Sequence, residues 1–502
     1  MALESPGCAG HGCPGDGDRL VAGAPLLAAY VTAASRGDTP FCVPGHKRRA
    51  LALDADLGLV TDADVPLYAG LDTMKLTGGL LTRAEALAAE LWGADWCRFS
   101  VGGATQANQA LLLAAGRPGD QVVMARSIHR SVFSGLILAG LRPVWLPAHS
   151  DAATMLPLGP TAEQLAAALD AAPGAVAGWI SEPSYLGTVA DVGALARVAH
   201  ARGVPLLVDQ AWGAHFGFQA DYPPHALEAG ADAMVISAHK MLPAYSQAAL
   251  VLAREGYLSP DRLETAFDAT TTTSPAGAIL ASIDGARGLL ASRGPLLLHR
   301  LACLVADARA RLLGACPGLA VPGPGDFPPA RFDPAKLVLS LAGTGADGTV
   351  VETVAQAAGV PLEMADRDTI VATVTVADTA DTVGMLTDVL GGAITAGSGT
   401  PRPAATGVSW TLSAEPVVDP RTAFFAPWTA VPAEQAAGRI SAELIAAYPP
   451  GVPILAPGEL ITPGLLDALW RQAAEGSRIA YAADPSLRTL RVLTGGGPAE
   501  RF

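Results

Sequence analysis

From about Thr82 to Leu250 the chain alternates short apolar runs with stretches whose apolar positions return every three or four residues. The short runs predict strands at Gln121–Ala125, Pro143–Leu146, Ala175–Ile180, Val204–Val208 and Ala233–Ser237. Between them the helical spacing predicts helices at Thr105–Ala115, Thr161–Ala171 and Asp191–Ala201. An earlier helix is predicted from Thr82 and Glu85, spaced as a T-x-x-E capping box, with Leu87 and Leu91 on one face and Gly93 as the stop. Strands separated by helices imply βαβ units and a mainly parallel sheet. Val204-Pro205-Leu206-Leu207-Val208 is almost wholly apolar, as a strand covered on both faces requires.

Pro317–Pro334, rich in Pro and Gly, predicts an exit from this large domain. Lys336–Leu341, Gly348–Ala358, Thr369–Val374 and Ala380–Leu390 then read as strand, helix, strand and helix, a small α/β unit, with Gly391–Thr406 as a linker. In the last segment, Tyr448-Pro449-Pro450-Gly451-Val452-Pro453 and Pro457-Gly458-Glu459 exclude helix and predict an extended or turning path. The expected division is a mobile Gly-rich tail at 1–24, a large domain at 25–320, a small α/β domain at 321–395 and a C-terminal domain at 396–502.

Half of the 502 residues are apolar and 16% are charged, which suits a well-buried globular enzyme. A formal net charge of −14 disfavours nucleic-acid binding, which needs clustered Lys and Arg. The six cysteines are too sparse for a disulfide framework, and Cys8 and Cys13 have only His11 beside them, too few ligands for a metal site. No basic segment followed by an apolar stretch opens the chain, and no uninterrupted apolar run is long enough to span a bilayer, so a soluble cytoplasmic protein is expected.

Two strand ends carry the chemistry. Asp209 closes one apolar strand, and Ser237-Ala238-His239-Lys240 follows another. Open α/β sheets bind ligands at the C-terminal ends of their strands. A lysine there loses water and can take an aldehyde, and a carboxylate there can hold a proton on a pyridine nitrogen. The pair points to pyridoxal 5'-phosphate (PLP). Val101-Gly102-Gly103-Ala104-Thr105, at a helix start, offers free N–H groups and a hydroxyl to a phosphate. His129, in Arg126-Ser127-Ile128-His129-Arg130-Ser131, supplies a flat imidazole that could stack on the ring. Ser237 could reach the phosphate, and His239 could stand beside the reacting centre as a proton donor.

Taken in order, these residues resemble the Orn/Lys/Arg decarboxylases, fold type I PLP enzymes. Phe41-Cys42-Val43-Pro44-Gly45-His46-Lys47 resembles their N-terminal PGHK element, and Pro183-Ser184-Tyr185-Leu186-Gly187 their P-T-Y-x-G turn. Ser237–Lys240 matches S-x-H-K, Ala281–Arg287 a helix motif, and Gly438–Glu443 with Tyr448–Glu459 the C-terminal signature. The resemblance implies a PLP-dependent transferase-like large domain with a mainly parallel seven-stranded sheet and smaller C-terminal α/β domains. It implies that Lys240 takes the cofactor's aldehyde, Asp209 pairs with the pyridinium nitrogen and His129 stacks on the ring. Gly103, Ala104, Thr105, Ser237 and His239 would surround the phosphate, with Ala211 and Trp212 close by. The expected reaction converts arginine, lysine or ornithine to the amine and carbon dioxide, in a homodimer or larger assembly with sites at subunit interfaces.

The chain departs from the family pattern in places. Trp212 stands where many short members have His, Gln210 replaces a frequent Glu, and Ser127 and Arg130 replace Asn and Lys. After Thr273-Ser274-Pro275, Ala276 and Gly277 replace Ser and an aromatic in a loop expected to complete a neighbouring subunit's site. A basic substrate needs a carboxylate for its distal cation, and Glu443 and Glu182 are the candidates. Two other readings stay open: a PLP aminotransferase or other α-carbon chemistry on the same fold, and a non-catalytic regulator that keeps the fold.

Overall fold

A computed structural model describes residues 23–36, 79–403, 414–448, 452–474 and 477–494, with isolated positions between 41 and 71. Of the expected tail only Gly23 and Ala24 are described; Cys8, His11 and Cys13 lie outside the described residues, as do Cys42 and Gly45 of the PGHK element.

Helix α1 (Pro25–Ser35) is followed by α2 (Leu80–Leu91), β1 (Trp96–Ser100), α3 (Gly103–Ala115), β2 (Gln121–Ala125), α4 (Arg130–Ala139) and β3 (Arg142–Leu146). Next come α5 (Ala162–Ala171), β4 (Ala175–Ser181), α6 (Val192–His200), β5 (Leu206–Asp209), β6 (Ala233–Ser237), the single turn α7 (Ala238–Met241) and β7 (Ala249–Ala253). The seven strands form one sheet in the order β1-β7-β6-β5-β4-β2-β3. Neighbours from β3 through β6 pair in parallel, and β7 runs antiparallel to both β6 and β1. Strand β7 was not among the predicted strands; it is as apolar as its neighbours and follows α7 after a few residues.

Both faces of the sheet are covered, so successive residues of a strand enter different cores. Val123 and Ala125 pack with Ile180, Val208, Met234 and Ile236 on one face, and Val122 and Met124 pack with Trp179, Leu207 and Val235 on the other. Each such side chain contributes roughly 1.5–3 kcal/mol by leaving water.

After α8 (Pro260–Thr270), the 39-residue helix α9 (Gly277–Ala315) crosses the first face. By length and composition it is the only helix among the described residues that could cross a bilayer; here Leu280, Ile283, Leu290, Leu298 and Leu301 are buried in the core. Its motif Ala281–Arg287 anchors the N-terminal helix. Asp284 is fully buried and accepts hydrogen bonds from the first amides of α1, Leu26 N (2.8 Å) and Leu27 N (3.2 Å), while Arg287 holds its other oxygen at 2.6 Å.

The second unit contains β8 (Lys336–Ser340), α10 (Gly348–Ala357), β9 (Met364–Ala365), β10 (Thr369–Thr373) and α11 (Ala380–Ala396), with sheet order β8-β10-β9. Last come α12 (Pro420–Phe425), β11 (Trp428–Pro432), β12 (Ile445–Tyr448), β13 (Pro453–Leu455), α13 (Pro463–Ala474), β14 (Arg478–Ala480) and β15 (Thr489–Leu493). Where it is described, the Pro-rich sequence of this segment is extended at Pro453–Leu455 and turns at Pro457 and Gly458, within the expected extended or turning path.

Two local readings are corrected. The T-x-x-E pair is not a cap: α2 begins at Leu80 after Gly79, which adopts φ 101, and buried Glu85 instead accepts from Phe99 N at 3.0 Å and pairs with Arg98 at 3.4 Å. The linker expected from Gly391 begins inside α11, which runs on to Ala396 because Ile394 is buried against the core.

The C-terminal segment is bound to the large sheet by a buried ion pair. Arg126, just past β2, is 1% exposed and donates to both carboxylate oxygens of Glu459, to Pro453 O (2.9 Å) and to Ile454 O (3.1 Å). Removing one partner of such a pair leaves a charge buried without compensation, at a cost of roughly 3–5 kcal/mol. Glu459→Gln is therefore expected to lower unfolding free energy by about 3 kcal/mol in urea titration, and a loss below about 1 kcal/mol would contradict this role.

Candidate active site

The C-terminal ends of β1, β2, β4, β5 and β6 open into one cavity of about 540 Å³. Its wall includes Gly103, Ala104, Thr105, His129, Asp209, Ala211, Trp212, Ser237, His239 and Lys240, so the residues singled out around the two strand ends are gathered in one place.

Asp209 is the last residue of β5 and 5% exposed. Asn108 on α3 donates one amide N–H to its Oδ2 (2.8 Å) and the other to Ser131 Oγ (3.0 Å). Ser131 in turn bonds His129 Nδ1 at 2.8 Å, and the Ser131 backbone N–H donates to the same nitrogen at 3.2 Å. Nδ1 is therefore an acceptor, and the ring proton sits on Nε2. Burial lowers the His129 pKa further than the Asp209 charge raises it, so the ring is neutral at pH 7. Asn108 and Ser131 escaped the sequence reading; the available signal was Asn108 one helical turn after Thr105.

Lys240 lies in α7, with its Nζ 4.4 Å from the centre of the Trp212 ring. Burial lowers its pKa against the opposing pull of Asp209 and Glu363. The same indole receives a second ammonium: Lys336 Nζ, from the start of β8, is 3.8 Å from the Trp212 ring centre and 5.1 Å from that of Tyr185. Lys336 is buried, has no hydrogen-bond partner among the described residues, and is lowered by desolvation to about 8. Its position at a strand start made it look ordinary in sequence.

An anionic group would find donors on the cavity wall. Helix α3 starts there with no side-chain cap on its first amides and no acidic residue in its first turn. Gly103 holds φ +72, and a Cβ there would come within 3.8 Å of the Gln247 backbone. Ser237 Oγ is buried with no hydrogen-bond partner among the described residues. His239 Nδ1 is 3.0 Å from Ala248 O, so it donates to that carbonyl and leaves Nε2 free.

The two candidates for the distal cation fare differently. Glu443 does not line the cavity: its carboxylate accepts from Ala483 N (2.7 Å) and Arg491 N (2.6 Å) and ties β15 into the C-terminal segment. Glu182 does line it, but accepts from Ala190 N at 3.0 Å, and desolvation pushes its carboxyl up to about 8. A third carboxylate on the wall, Glu363, precedes β9 and was missed, because its strand is too short to mark in sequence.

Residues 24–320 match the family model for the Orn/Lys/Arg decarboxylase major domain, and residues 410–469 that for the C-terminal domain. The chain belongs to the Orn/Lys/Arg decarboxylase family. It is 32% identical over 478 residues to an arginine decarboxylase of Halalkalibacterium halodurans, with 93% of this chain and 97% of that one covered. An arginine decarboxylase of Bacillus subtilis is 30% identical over 494 residues, with the same coverage. Among solved structures, the Francisella novicida lysine decarboxylase superposes with TM-score 0.79 at 17% identity, over 94% of this chain and 81% of that one. The Escherichia coli constitutive lysine decarboxylase gives 0.76 at 20% identity, over 94% and 82%. The fold is fold type I, and the chain is a basic amino acid decarboxylase. That decides against the aminotransferase and regulator readings left open above. In this decarboxylase the divergent loop is exposed from Thr272 to Ser274 and leads through Ala276 into α9.

Lys336 makes a thermodynamic signature. Its pKa falls from 10.5 in an unfolded chain to about 8, so between those values the unfolded state binds the extra proton. Stability contributed by this group therefore rises with pH across that window, and the penalty is complete below about pH 8. Lys336→Met should raise unfolding free energy at pH 7 by roughly 2 kcal/mol, a gain that fades by about pH 10.5. A destabilised Met variant at pH 7 would contradict the buried, unpartnered charge.

Proposed function

We propose that this chain decarboxylates L-arginine to agmatine and carbon dioxide with PLP as its cofactor. The observation that carries the reading is one cavity holding both a half-buried lysine of lowered pKa and a buried carboxylate braced by Asn108. Arginine is chosen among the three basic amino acids because the relatives matched over nearly their whole length are arginine decarboxylases.

The donor set suits the cofactor. The uncapped amides of α3, Thr105 and the unpartnered Ser237 hydroxyl would hold its phosphate, and Asp209 its pyridine nitrogen. When bound, PLP supplies a cationic ring that accepts the electron pair left at the α-carbon as carbon dioxide departs. Lys240 would hold the aldehyde, and the desolvation that lowers its pKa brings its neutral, nucleophilic amine closer to neutral pH. The Asp209 carboxylate would pair with the pyridine nitrogen and favour its protonated form. His129, neutral and locked at Nδ1 by Ser131, would offer its ring face to the cofactor. His239 keeps Nε2 free to hold the proton that returns to the α-carbon, a task Lys240 shares. The exposed Thr272–Ser274 loop is available to a second copy of the chain, in keeping with a homodimer.

Purified, PLP-loaded protein is expected to release carbon dioxide and agmatine from arginine faster than the corresponding products from lysine or ornithine. Keto acid in place of carbon dioxide would sink the reading. Lys240→Ala should lose both the near-visible absorbance of the lysine-bound cofactor and turnover. Asp209→Asn should lower kcat by roughly 10²–10³-fold.

A further inference from the structure

The cavity wall carries three carboxylates: Asp209, Glu182 and Glu363. Asp209 is occupied by Asn108 and by Ala211 N (3.2 Å). Glu182 is buried, engaged by Ala190 N and largely protonated at neutral pH. Glu363 alone of the three is exposed, and it has no ion pair within 4.0 Å among the described residues. Tyr185 O–H donates to its Oε1 at 3.1 Å. Its charge is felt by Lys240, so it lies within electrostatic range of the reacting end of the cavity.

We propose that Glu363, aimed by Tyr185, receives the distal cation of the basic substrate at the mouth of the cavity. The assignment rests on the decarboxylase reading above and names the residue that selects a basic side chain. One Tyr185 bond leaves the second carboxylate oxygen and further lone pairs of the first open to a planar guanidinium. The rings of Tyr185 and Trp212 meet edge to face at 5.4 Å on the same wall, an apolar surface for the methylenes that lead to the cation. Since Glu363 is exposed, the cation keeps part of its water and avoids the penalty that Glu182's dry position would exact.

The test is calorimetric titration of the PLP-loaded full-length protein with agmatine, which carries the guanidinium, and with hexylamine, which does not. Glu363→Gln is expected to weaken agmatine at least about tenfold, the scale of one charge-assisted hydrogen bond, with hexylamine affected less than about twofold. Glu363→Asp should recover part of the loss, and Tyr185→Phe should weaken agmatine severalfold. Agmatine affinity unchanged in Glu363→Gln, equal losses for both amines, or no preference for agmatine in the wild type would each overturn the assignment. Amine binding needs no turnover. A wild-type protein that binds agmatine through Glu363 but releases no carbon dioxide would therefore fail the decarboxylase reading alone.

Discussion

A parallel sheet buried on both faces leaves almost no place for a polar side chain except where strands end. That constraint organises this molecule. The interiors of β2, β4, β5 and β6 are apolar on both sides, and the polar residues Ser127, Ser181, Asp209 and Ser237, at or just past their ends, all stand on the wall of one cavity. The site is where five strands stop, and the packing of the sheet sets its position before any chemistry is considered.

Much of this was legible in sequence for the same reason. Covered strands are short continuous apolar runs, so the predicted limits of β2 coincide with its ends in the fold, and β5 and β6 are marked by the polar residues that close them. The two-residue strand β9 left no such mark, and Glu363 in front of it was invisible until the second unit folded over the cavity. The Thr82–Glu85 spacing matched a cap by composition, but Glu85 had a better partner in the Phe99 amide of the next strand. Such a partner is set by tertiary packing, which spacing along one segment does not encode. Glu443 failed similarly: its motif was found, while two backbone amides of the C-terminal segment claim both of its oxygens.

The electrostatics around the cavity rest on two groups of residues. Its wall offers uncapped helix amides and a Ser237 hydroxyl with no partner among the described residues, and one wall residue, Trp212, meets two ammonium groups, Lys240 on the wall and Lys336 outside the lining. Trp212 is thus more than a wall: its ring face partly compensates two cations that burial would otherwise penalise. With His in that position, the second ammonium would meet a smaller and titratable ring.

The Arg126–Glu459 clasp joins distant parts of the chain. Arg126 begins the same short loop that ends at His129, and its partner lies in the second of the two family regions matched along the chain. The histidine loop therefore depends for its footing on residues encoded far downstream. A chain in which the C-terminal region was lost or exchanged would leave the Arg126 guanidinium without the carboxylate and the two carbonyls that now hold it, one position before Ser127 on the cavity wall.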